Sequence, residues 1–181
     1  CTSNGDDVVD NALIKHRNGF QEGYTPLVEM GEEKNALLTM AIVKLSPHQS
    51  YQASQGLETA ALLLSGEVEF AFSAHQFHAK RHDFFNQAPR VAHVNADTPL
   101  TIKAKAPSEL LIVQAHNERL FDNTFFTEEN MVSRDHRGQG VLDNTAYRMV
   151  RTVFDYRNRP NANIVLGEVV TPPGRWSSYP P

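Results

Sequence analysis

Three histidines stand close together in the run HQFHAKRH, at His75, His78 and His82. Imidazole nitrogens bind transition metals well, so three of them on one face would make a metal site. Spacings of three and four meet that condition in a helix, but in a strand His75 lies on the face opposite His78 and His82. Because the run falls between two predicted strands, we predict exposed histidines in a short hairpin. The same interpretation applies to the isolated histidines His16, His116 and His136.

The sequence pattern shows no nucleophile with a recognisable base. The single cysteine is Cys1, which leaves no partner for an internal disulfide or a cysteine metal cluster. No Gly-x-Ser-x-Gly sequence occurs. The run RGQG at 137–140 has the glycines of a phosphate-binding loop but lacks the Lys-Ser/Thr pair and a helix after it. Catalytic residues are therefore unassigned, and we predict no complete catalytic group within these 181 residues.

The composition is that of an ordinary folded domain. Hydrophobic residues make up 40% and charged residues 21%, and the length suits one domain, or one domain with part of another. A net charge of −4 and a pI of about 6.1 leave no electrostatic footprint for nucleic acid or an anionic membrane. The short basic runs at 80–82 and 157–159 are interpreted as solvated surface. We therefore predict no nucleic-acid or membrane partner. The single cysteine suits a reducing compartment, so we predict a cytoplasmic location.

Short apolar and alternating runs separated by turn residues dominate the chain from residue 24 onward. The stretch EVEFAF at 67–72 alternates polar and apolar residues, as a half-buried strand does. This spacing, with little helical periodicity, predicts an all-β fold, either an antiparallel sandwich or a small barrel. The predicted strands are 37–45, 58–64, 67–72, 84–95, 100–106, 110–115, 147–154 and 163–170, with turns at 65–66 and 157–162.

The pattern divides the chain into four parts. Residues 1–23 are predicted to be a polar N-terminal arm with the leading strand, and 24–116 the first β-barrel. Residues 117–145 are polar and are predicted to be a linker with at most short helical turns. The β pattern resumes at 146–181, which we interpret as the first strands of a second barrel. We expect the rest of that barrel to lie outside this chain.

The stretch ETAALLLSGEVEF at 58–70, followed by RHDFFNQAPRVAHVNA at 81–96, resembles the layout of a cupin barrel. In metal-binding cupins a His-x-His pair, a later Glu and a His on the return strand project into the barrel and bind a divalent ion. Here no histidine stands directly ahead of Glu58, and His48 is too early. A site formed by His48, Glu58 and His93 is an open alternative, but the pattern favours a metal-free first barrel.

The last part of the chain carries a more specific resemblance. The run RMVRTVFDYRNRPNANIVLGEVVTPPGRWSSYPP at 148–181 closely resembles the 5-deoxy-glucuronate isomerases of bacterial myo-inositol catabolism. These are two-barrel cupins, related to the 5-keto-4-deoxyuronate isomerases of pectin breakdown. Upstream, LLLSGEVEF, RHDFFNQAPRVAHV and RGQG agree with the family in order and spacing, so the resemblance covers roughly residues 13–181. The run PGRWSSYPP is its most specific part.

The resemblance implies an aldose–ketose isomerisation of 5-deoxy-glucuronate to 2-deoxy-5-keto-gluconate through an enediol. It also implies a divalent metal (Zn, Mn or Fe), bound in the family by a His-rich strand that follows Trp-Ser-Ser-Tyr-Pro-Pro. That strand would come after this chain's last residue, so no cofactor is expected within these residues. The neighbouring side chains are hypothesised to bind the substrate, with an arginine pairing with the uronate carboxylate. They are Arg175, Ser177, Ser178 and Tyr179.

Two other functions are compatible with the sequence. The resemblance extends to the 5-keto-4-deoxyuronate isomerases, although PGRWSSYPP favours the inositol pathway. A non-catalytic cupin, serving as a sugar-binding or assembly module, would fit the empty ligand positions of the first barrel. We expect a small sugar acid as the partner and a homo-oligomer as the assembly, because unpaired strand edges favour association. The 181-residue chain by itself is expected to be inactive.

Overall fold

The computed structural model describes residues 19–31 and 36–177. Most of the predicted N-terminal arm, with His16, lies outside the described residues, as do the candidate residues Ser178 and Tyr179. Within them the chain forms twelve strands and a 3-10 turn at Leu142–Asn144, and no helix is long and apolar enough to cross a membrane. The strands are β1 (Gly23–Val28), β2 (Leu38–Leu45), β3 (Ser50–Gln52), β4 (Glu58–Phe72), β5 (His75–Arg81), β6 (Val91–Val94), β7 (Thr101–Ala104), β8 (Ser108–Ala115), β9 (Thr124–Phe126), β10 (Ser133–Arg137), β11 (Arg148–Phe154) and β12 (Leu166–Val170).

The long strand β4 organises the first nine strands, which we call the first body. Its residues 58–63 pair with β6 and β8, in a sheet of order β1-β2-β8-β4-β6-β9. Its residues 66–72 pair with β5 and β7, and β3 pairs with β7. All of these pairings are antiparallel. Because β4 belongs to both groups of strands, the two layers fold over one shared core.

Gly66 allows β4 to pass from one layer to the other. Its φ is +109°, and a Cβ at this position would lie 2.6 Å from the Cα of Ser108. Glycine alone accepts both the positive φ and the close approach without strain. The turn predicted at 65–66 is therefore wrong: the glycine, next to a shift in register at 63–65, bends a continuous strand and does not reverse the chain.

The two faces of β4 are buried against different partners. Ala61 and Leu63 point into the first body, whose core consists of apolar side chains that include Phe70, Ile102 and Leu110. The opposite face carries Ala60 and Leu62, which belong to a second apolar cluster. That cluster also includes Val91, Val113, Phe126, Val153, Phe154 and Leu166. A strand buried on both faces reads as a nearly continuous apolar run, which explains the sequence AALLL.

Strands β10, β11 and β12 form a separate antiparallel sheet, which we call the second sheet. One face of it covers the outside of the first body. Val153 and Phe154 of β11 and Leu166 of β12 supply its share of the second apolar cluster. The second sheet is therefore held to the first body by apolar burial, the dominant favourable term in packing of this kind.

The all-β antiparallel prediction is confirmed, and most of the predicted strands are present. The strand-free linker predicted at 117–145 is wrong, because β9 joins the first body beside β6 and β10 joins the second sheet beside β11. Both strands are too short to show a periodic pattern in the sequence, and each is defined by its pairing with a neighbour. The strand predicted at 84–95 shortens to β6, because 84–87 form a loop. The division into four parts is still a prediction.

Candidate functional site

Glu58 and His93 form a buried pair where the second sheet meets the first body. Neither side chain has exposed surface, and Nε2 of His93 lies 2.9 Å from Oε1 of Glu58. The carboxylate also accepts hydrogen bonds from the side-chain amide of Asn117 at 2.7 Å and from the backbone N–H groups of Asn163 at 2.8 Å and Ile164 at 3.1 Å. Since Asn163 and Ile164 lead into β12, this one carboxylate ties the two parts of the chain together.

Aromatic rings enclose the imidazole of His93. Phe154 stacks on it with ring centroids 4.0 Å apart, and Phe121 stacks at 4.5 Å. Nδ1 of His93 is buried without a hydrogen-bond partner among the described residues. The tautomer inferred from this geometry carries its proton on Nε2 and donates it to Glu58.

The environment shifts the pKa of both groups downward. Burial lowers the pKa of His93, and the hydrogen bond to Glu58 only partly opposes that shift. Burial alone would raise the pKa of Glu58, but the hydrogen bonds from His93, Asn163, Asn117 and Ile164 outweigh it and lower the pKa. At neutral pH the pair is therefore an ionised carboxylate that accepts a hydrogen bond from a neutral imidazole.

The lowered pKa of His93 predicts a loss of stability in mild acid. Below about pH 6.5 the unfolded chain binds a proton at this histidine more readily than the folded chain does, so the free energy of unfolding decreases by up to about 1.4 kcal/mol per pH unit. Below about pH 4.5, Glu58 contributes a further decrease in the free energy of unfolding, because its pKa is also lower in the folded chain. Urea unfolding between pH 7.5 and pH 5 should show this decrease in the wild-type chain and not in His93→Gln.

The exposed histidine His75 provides the control for this measurement. The variant His75→Gln should keep the wild-type dependence of unfolding free energy on pH. The same dependence in His93→Gln as in the wild type would contradict the assignment, since the titrating group would then lie elsewhere.

Glu58 and His93 point away from the interior of the first body. Glu58 shares a face of β4 with Ala60 and Leu62, which belong to the outer cluster. His93 is the partner of Ala60 in the pairing of β4 with β6, so it lies on that same outer face. The alternative metal site required inward-pointing ligands, and these two side chains are outside the barrel that they would have to line.

His48 lies far from this pair. It is exposed, has a φ of +71°, and its backbone N–H donates to the carbonyl of Ala104. Ala104 pairs with Val68, which is ten residues along β4 from Glu58. The predicted alternative of a metal site formed by His48, Glu58 and His93 is therefore wrong: the structure brings two of the three together and leaves His48 apart.

The described residues do not fit a metal ion in the first body. The interior core of that body is apolar, and each oxygen of Glu58 already accepts two hydrogen bonds. No group of three or more His, Cys, Asp or Glu side chains is positioned to hold a metal among the residues that the structure describes.

A second buried polar cluster joins the first body and the second sheet at Glu168 of β12. Arg81 donates to its carboxylate from Nη1 at 2.6 Å and from Nη2 at 2.8 Å, and Nη1 of Arg151 lies 3.4 Å away. The two arginines are 0% and 1% exposed. Two buried guanidinium charges thus share one carboxylate, and charges in such a place are tolerated only when they are paired and hydrogen-bonded.

The same arginines hold the loop between β5 and β6. Arg151 donates to the carbonyls of Phe84 at 2.7 Å, Phe85 at 2.6 Å and Gln87 at 3.0 Å. Arg81 donates to the carbonyl of Gln87 at 2.9 Å. The backbone carbonyls of this loop therefore accept hydrogen bonds from Arg81 of the first body and from Arg151 of the second sheet.

The interpretation of the two basic runs as solvated surface is wrong for Arg81 and Arg159, which are both buried. The guanidinium of Arg159 lies 4.9 Å from the ring centre of Phe126 and donates to the carbonyl of Asp122 at 2.8 Å. A local charge run does not reveal burial, because the apolar stems of arginines can lie along a core while their heads find backbone carbonyls. For Arg81 the available signal was alternation, which puts it on the same face of β5 as Phe77 and Ala79.

The histidine hairpin is confirmed. β5 is a strand, and His75, His78 and His82 are exposed. Nε2 of His78 lies 3.0 Å from Oε1 of Glu67 on the neighbouring strand. His116 and His136 are exposed as well.

Arg175 and Ser177 lie in the segment after β12, and both are exposed. Nη1 of Arg175 donates to the carbonyl of Asp143 at 3.0 Å, and the backbone N–H of Trp176 donates to the carbonyl of Thr145 at 2.7 Å. The segment is thus folded back onto the turn before β11. A substrate-binding role for Arg175 and Ser177 is still a prediction, as it is for Ser178 and Tyr179, which lie outside the described residues.

A comparison with models of protein families matches residues 12–181 to the one described as the KduI/IolB family. The chain belongs to the KduI/IolB family. The resemblance inferred from PGRWSSYPP and the upstream runs is thereby confirmed. No curated protein matches the chain.

Three solved structures are similar to this chain to different degrees. An IolB-like protein from Salmonella typhimurium LT2 matches with a TM-score of 0.75 and 17% identity, over 89% of this chain and 60% of its own. A putative glyoxylate-induced protein from Pseudomonas aeruginosa matches with a TM-score of 0.56 and 8% identity, over 75% of this chain and 50% of its own. A Cupin 2 conserved barrel domain protein from Salinispora arenicola CNS-205 matches with a TM-score of 0.42 and 12% identity, over 59% of this chain and 84% of its own.

These comparisons give information about the fold of the chain and about its length relative to similar proteins. At such identities the likeness to the two structures with TM-scores of 0.75 and 0.56 shows the fold alone, and together with the antiparallel architecture it confirms the predicted fold class. This member of the KduI/IolB family spans 60% of the length of the IolB-like protein.

Proposed function

We propose that this chain is part of an aldose–ketose isomerase that acts on a deoxy-uronate sugar acid. The specific reaction is the conversion of 5-deoxy-glucuronate to 2-deoxy-5-keto-gluconate in the cytoplasm. The observation that carries this proposal is the match of residues 12–181 to the KduI/IolB family. The run PGRWSSYPP, which resembles the 5-deoxy-glucuronate isomerases, favours this substrate over 5-keto-4-deoxyuronate.

The reaction sets chemical requirements that the buried pair does not meet. A proton must move between C1 and C2 of the aldose through an enediol, which calls for an accessible base and for stabilisation of the enediolate charge. Glu58 and His93 have no exposed surface, so no substrate atom can reach them. We propose that the base and a divalent metal (Zn, Mn or Fe) belong to a part of the protein outside the described residues, which themselves offer no fitting metal site.

The described residues support the role of a scaffold for that site. The interior of the first body is filled with apolar side chains. Two buried polar clusters, around Glu58 and around Glu168, fix the second sheet to it. The open strands of the second sheet would pair with the remainder of a second barrel or with another copy, and we propose a homo-oligomer on that ground.

Activity is tested on the longer protein that contains this chain. With 5-deoxy-glucuronate in D2O, NMR should show conversion to 2-deoxy-5-keto-gluconate with deuterium at the carbon that was the aldehyde, because an enediol exchanges its proton with solvent. A parallel sample with 5-keto-4-deoxyuronate should turn over much more slowly. The 181-residue chain alone should be inactive and provides the blank.

The apolar interior of the first body also fits a second candidate, a non-catalytic sugar-binding or assembly module. Elemental analysis of the longer protein separates the two functions. About one divalent ion per chain, together with turnover, supports the isomerase. A protein without stoichiometric metal that converts neither sugar acid would overturn the isomerase and leave the module.

A further inference from the structure

Two arginines face each other at one end of the second sheet. Arg137, the last residue of β10, is the register partner of Arg148, the first residue of β11. Side chains directly opposite in an antiparallel pair have Cβ atoms about 5 Å apart, and like charges in that position destabilise the sheet. A bound anion between them would remove this repulsion.

This arginine pair lies on the face of the second sheet that the first body does not cover. Arg148 is an odd number of residues from Arg151, which is buried against the first body, so its side chain leaves β11 on the opposite face. Nη1 of Arg148 donates to the carbonyl of Ala146 at 3.0 Å. Arg137 is exposed, with Nη2 at 3.8 Å from Asp135. Within the described part of the chain, no carboxylate lies within ion-pair distance of Arg148.

A third arginine reaches the same end of the sheet. Arg175 is bonded to the carbonyl of Asp143, and its neighbour Trp176 is bonded to that of Thr145. Both acceptors belong to the connection between β10 and β11, which joins Arg137 to Arg148. Tertiary hydrogen bonds therefore bring the segment that carries Arg175 to the connection between the other two arginines.

The connection itself is strained. Leu142, Asp143 and Asn144 have φ values of +48°, +51° and +60° in succession. The left-handed region costs about 1–2 kcal/mol for most residues other than glycine and less for Asp and Asn, so the cost falls mainly on Leu142. Two hydrogen bonds hold the connection in this conformation. The N–H of Gly140 donates to the side chain of Asn144 at 2.6 Å, and the hydroxyl of Thr145 donates to the carbonyl of Leu142 at 2.8 Å. Backbone strain of this kind persists mainly at binding and catalytic sites.

We propose that Arg137, Arg148 and Arg175 form a binding site for the carboxylate of a sugar acid. Their three charges exceed those of the neighbouring Asp135 and Asp143, which leaves a net positive site on an accessible face. Guanidinium groups bind carboxylates through paired N–H donors, and a carboxylate between Arg137 and Arg148 would relieve their repulsion. The identity of the ligand rests on the proposed function, while the site itself rests on the three arginines.

The test measures binding, not turnover, with the 181-residue chain. Titration with D-glucuronate, followed by NMR, should give saturable binding, and uncharged D-glucose should bind at least tenfold more weakly. Arg148→Gln should weaken glucuronate binding at least tenfold, and Arg175→Gln should weaken it severalfold. Arg134→Gln is the matched control, because Arg134 lies on the other face of β10 and pairs with Glu128 at 3.1 Å. It should bind glucuronate as the wild-type chain does.

Several outcomes would overturn the site. The site is contradicted if glucuronate binding does not saturate, or if glucose binds as tightly as glucuronate. It is also contradicted if Arg134→Gln and Arg148→Gln lose the same amount of glucuronate affinity. If Arg148→Gln fails to fold, Arg175→Gln at the exposed segment decides in its place. The proposed function is tested separately. If glucuronate binding depends on Arg148 and Arg175 but the longer protein shows no isomerase activity, the binding site is supported and the proposed reaction is contradicted.

Discussion

Replacing Glu168 with glutamine should lower the free energy of unfolding by about 3–5 kcal/mol. The substitution keeps the shape of the side chain but removes the carboxylate on which Arg81 and Arg151 converge. Two buried guanidinium charges would then have no counter-charge in this cluster. Losing one partner of a buried ion pair is costly, because the remaining charges stay desolvated. Urea unfolding monitored by circular dichroism measures the difference.

Glu128→Gln is the control for this prediction. Glu128 pairs with Arg134 at 3.1 Å, but both side chains are about half exposed. Exposed pairs of this kind contribute about 0–1 kcal/mol, so the control should remain close to the wild type. A loss in Glu168→Gln no larger than in Glu128→Gln would show that the buried cluster is not an essential link between the two parts of the chain.

Replacing Glu58 with glutamine should lower the free energy of unfolding by about 2–5 kcal/mol, and should loosen the second sheet first. One oxygen of Glu58 accepts from His93 and Ile164, and the other accepts from Asn117 and Asn163. A glutamine places an NH2 group where one of these oxygens was, so two buried donors lose their acceptor. Each buried donor left unsatisfied costs about 1–3 kcal/mol.

Hydrogen exchange identifies where the Glu58 substitution acts. The amides of Asn163 and Ile164 donate directly to this carboxylate, so their protection should drop more than that of amides in β8. Glu69→Gln is the control, since Glu69 pairs with Lys105 at 3.4 Å in a partly exposed position. A uniform loss of protection over the whole chain, or an effect as small as that of Glu69→Gln, would contradict the linking role of Glu58.

Local patterns in the sequence predict much of the first body. Alternation and short apolar runs identify β2, β7 and β8, because side-chain direction in a strand depends only on position along it. The prediction of exposed hairpin histidines at His75, His78 and His82 is confirmed for the same reason. The motif PGRWSSYPP and the upstream runs identify the KduI/IolB family, which the match over residues 12–181 confirms.

The errors have one origin, since each concerns a partner that is distant in sequence. β9 and β10 are only three and five residues long, too short for a periodic pattern, and they exist because β6 and β11 provide pairing groups. The sequence predicts a turn at Gly66 because the role of this glycine depends on the close approach of Ser108, some forty residues away. It predicts a surface position for Arg81 because the ion-pair partner of Arg81, Glu168, lies in another sheet.

The sequence by itself therefore determined the fold class, the family and the faces of the strongest strands, all of which follow from local periodicity and motif. Only the tertiary structure decided which faces meet. It turned Glu58 and His93 away from the barrel interior, made two basic residues part of buried clusters, and brought Arg175 to the connection between Arg137 and Arg148. These outcomes depend on the register between strands and on burial in a shared interface, which are set by contacts between residues far apart along the chain.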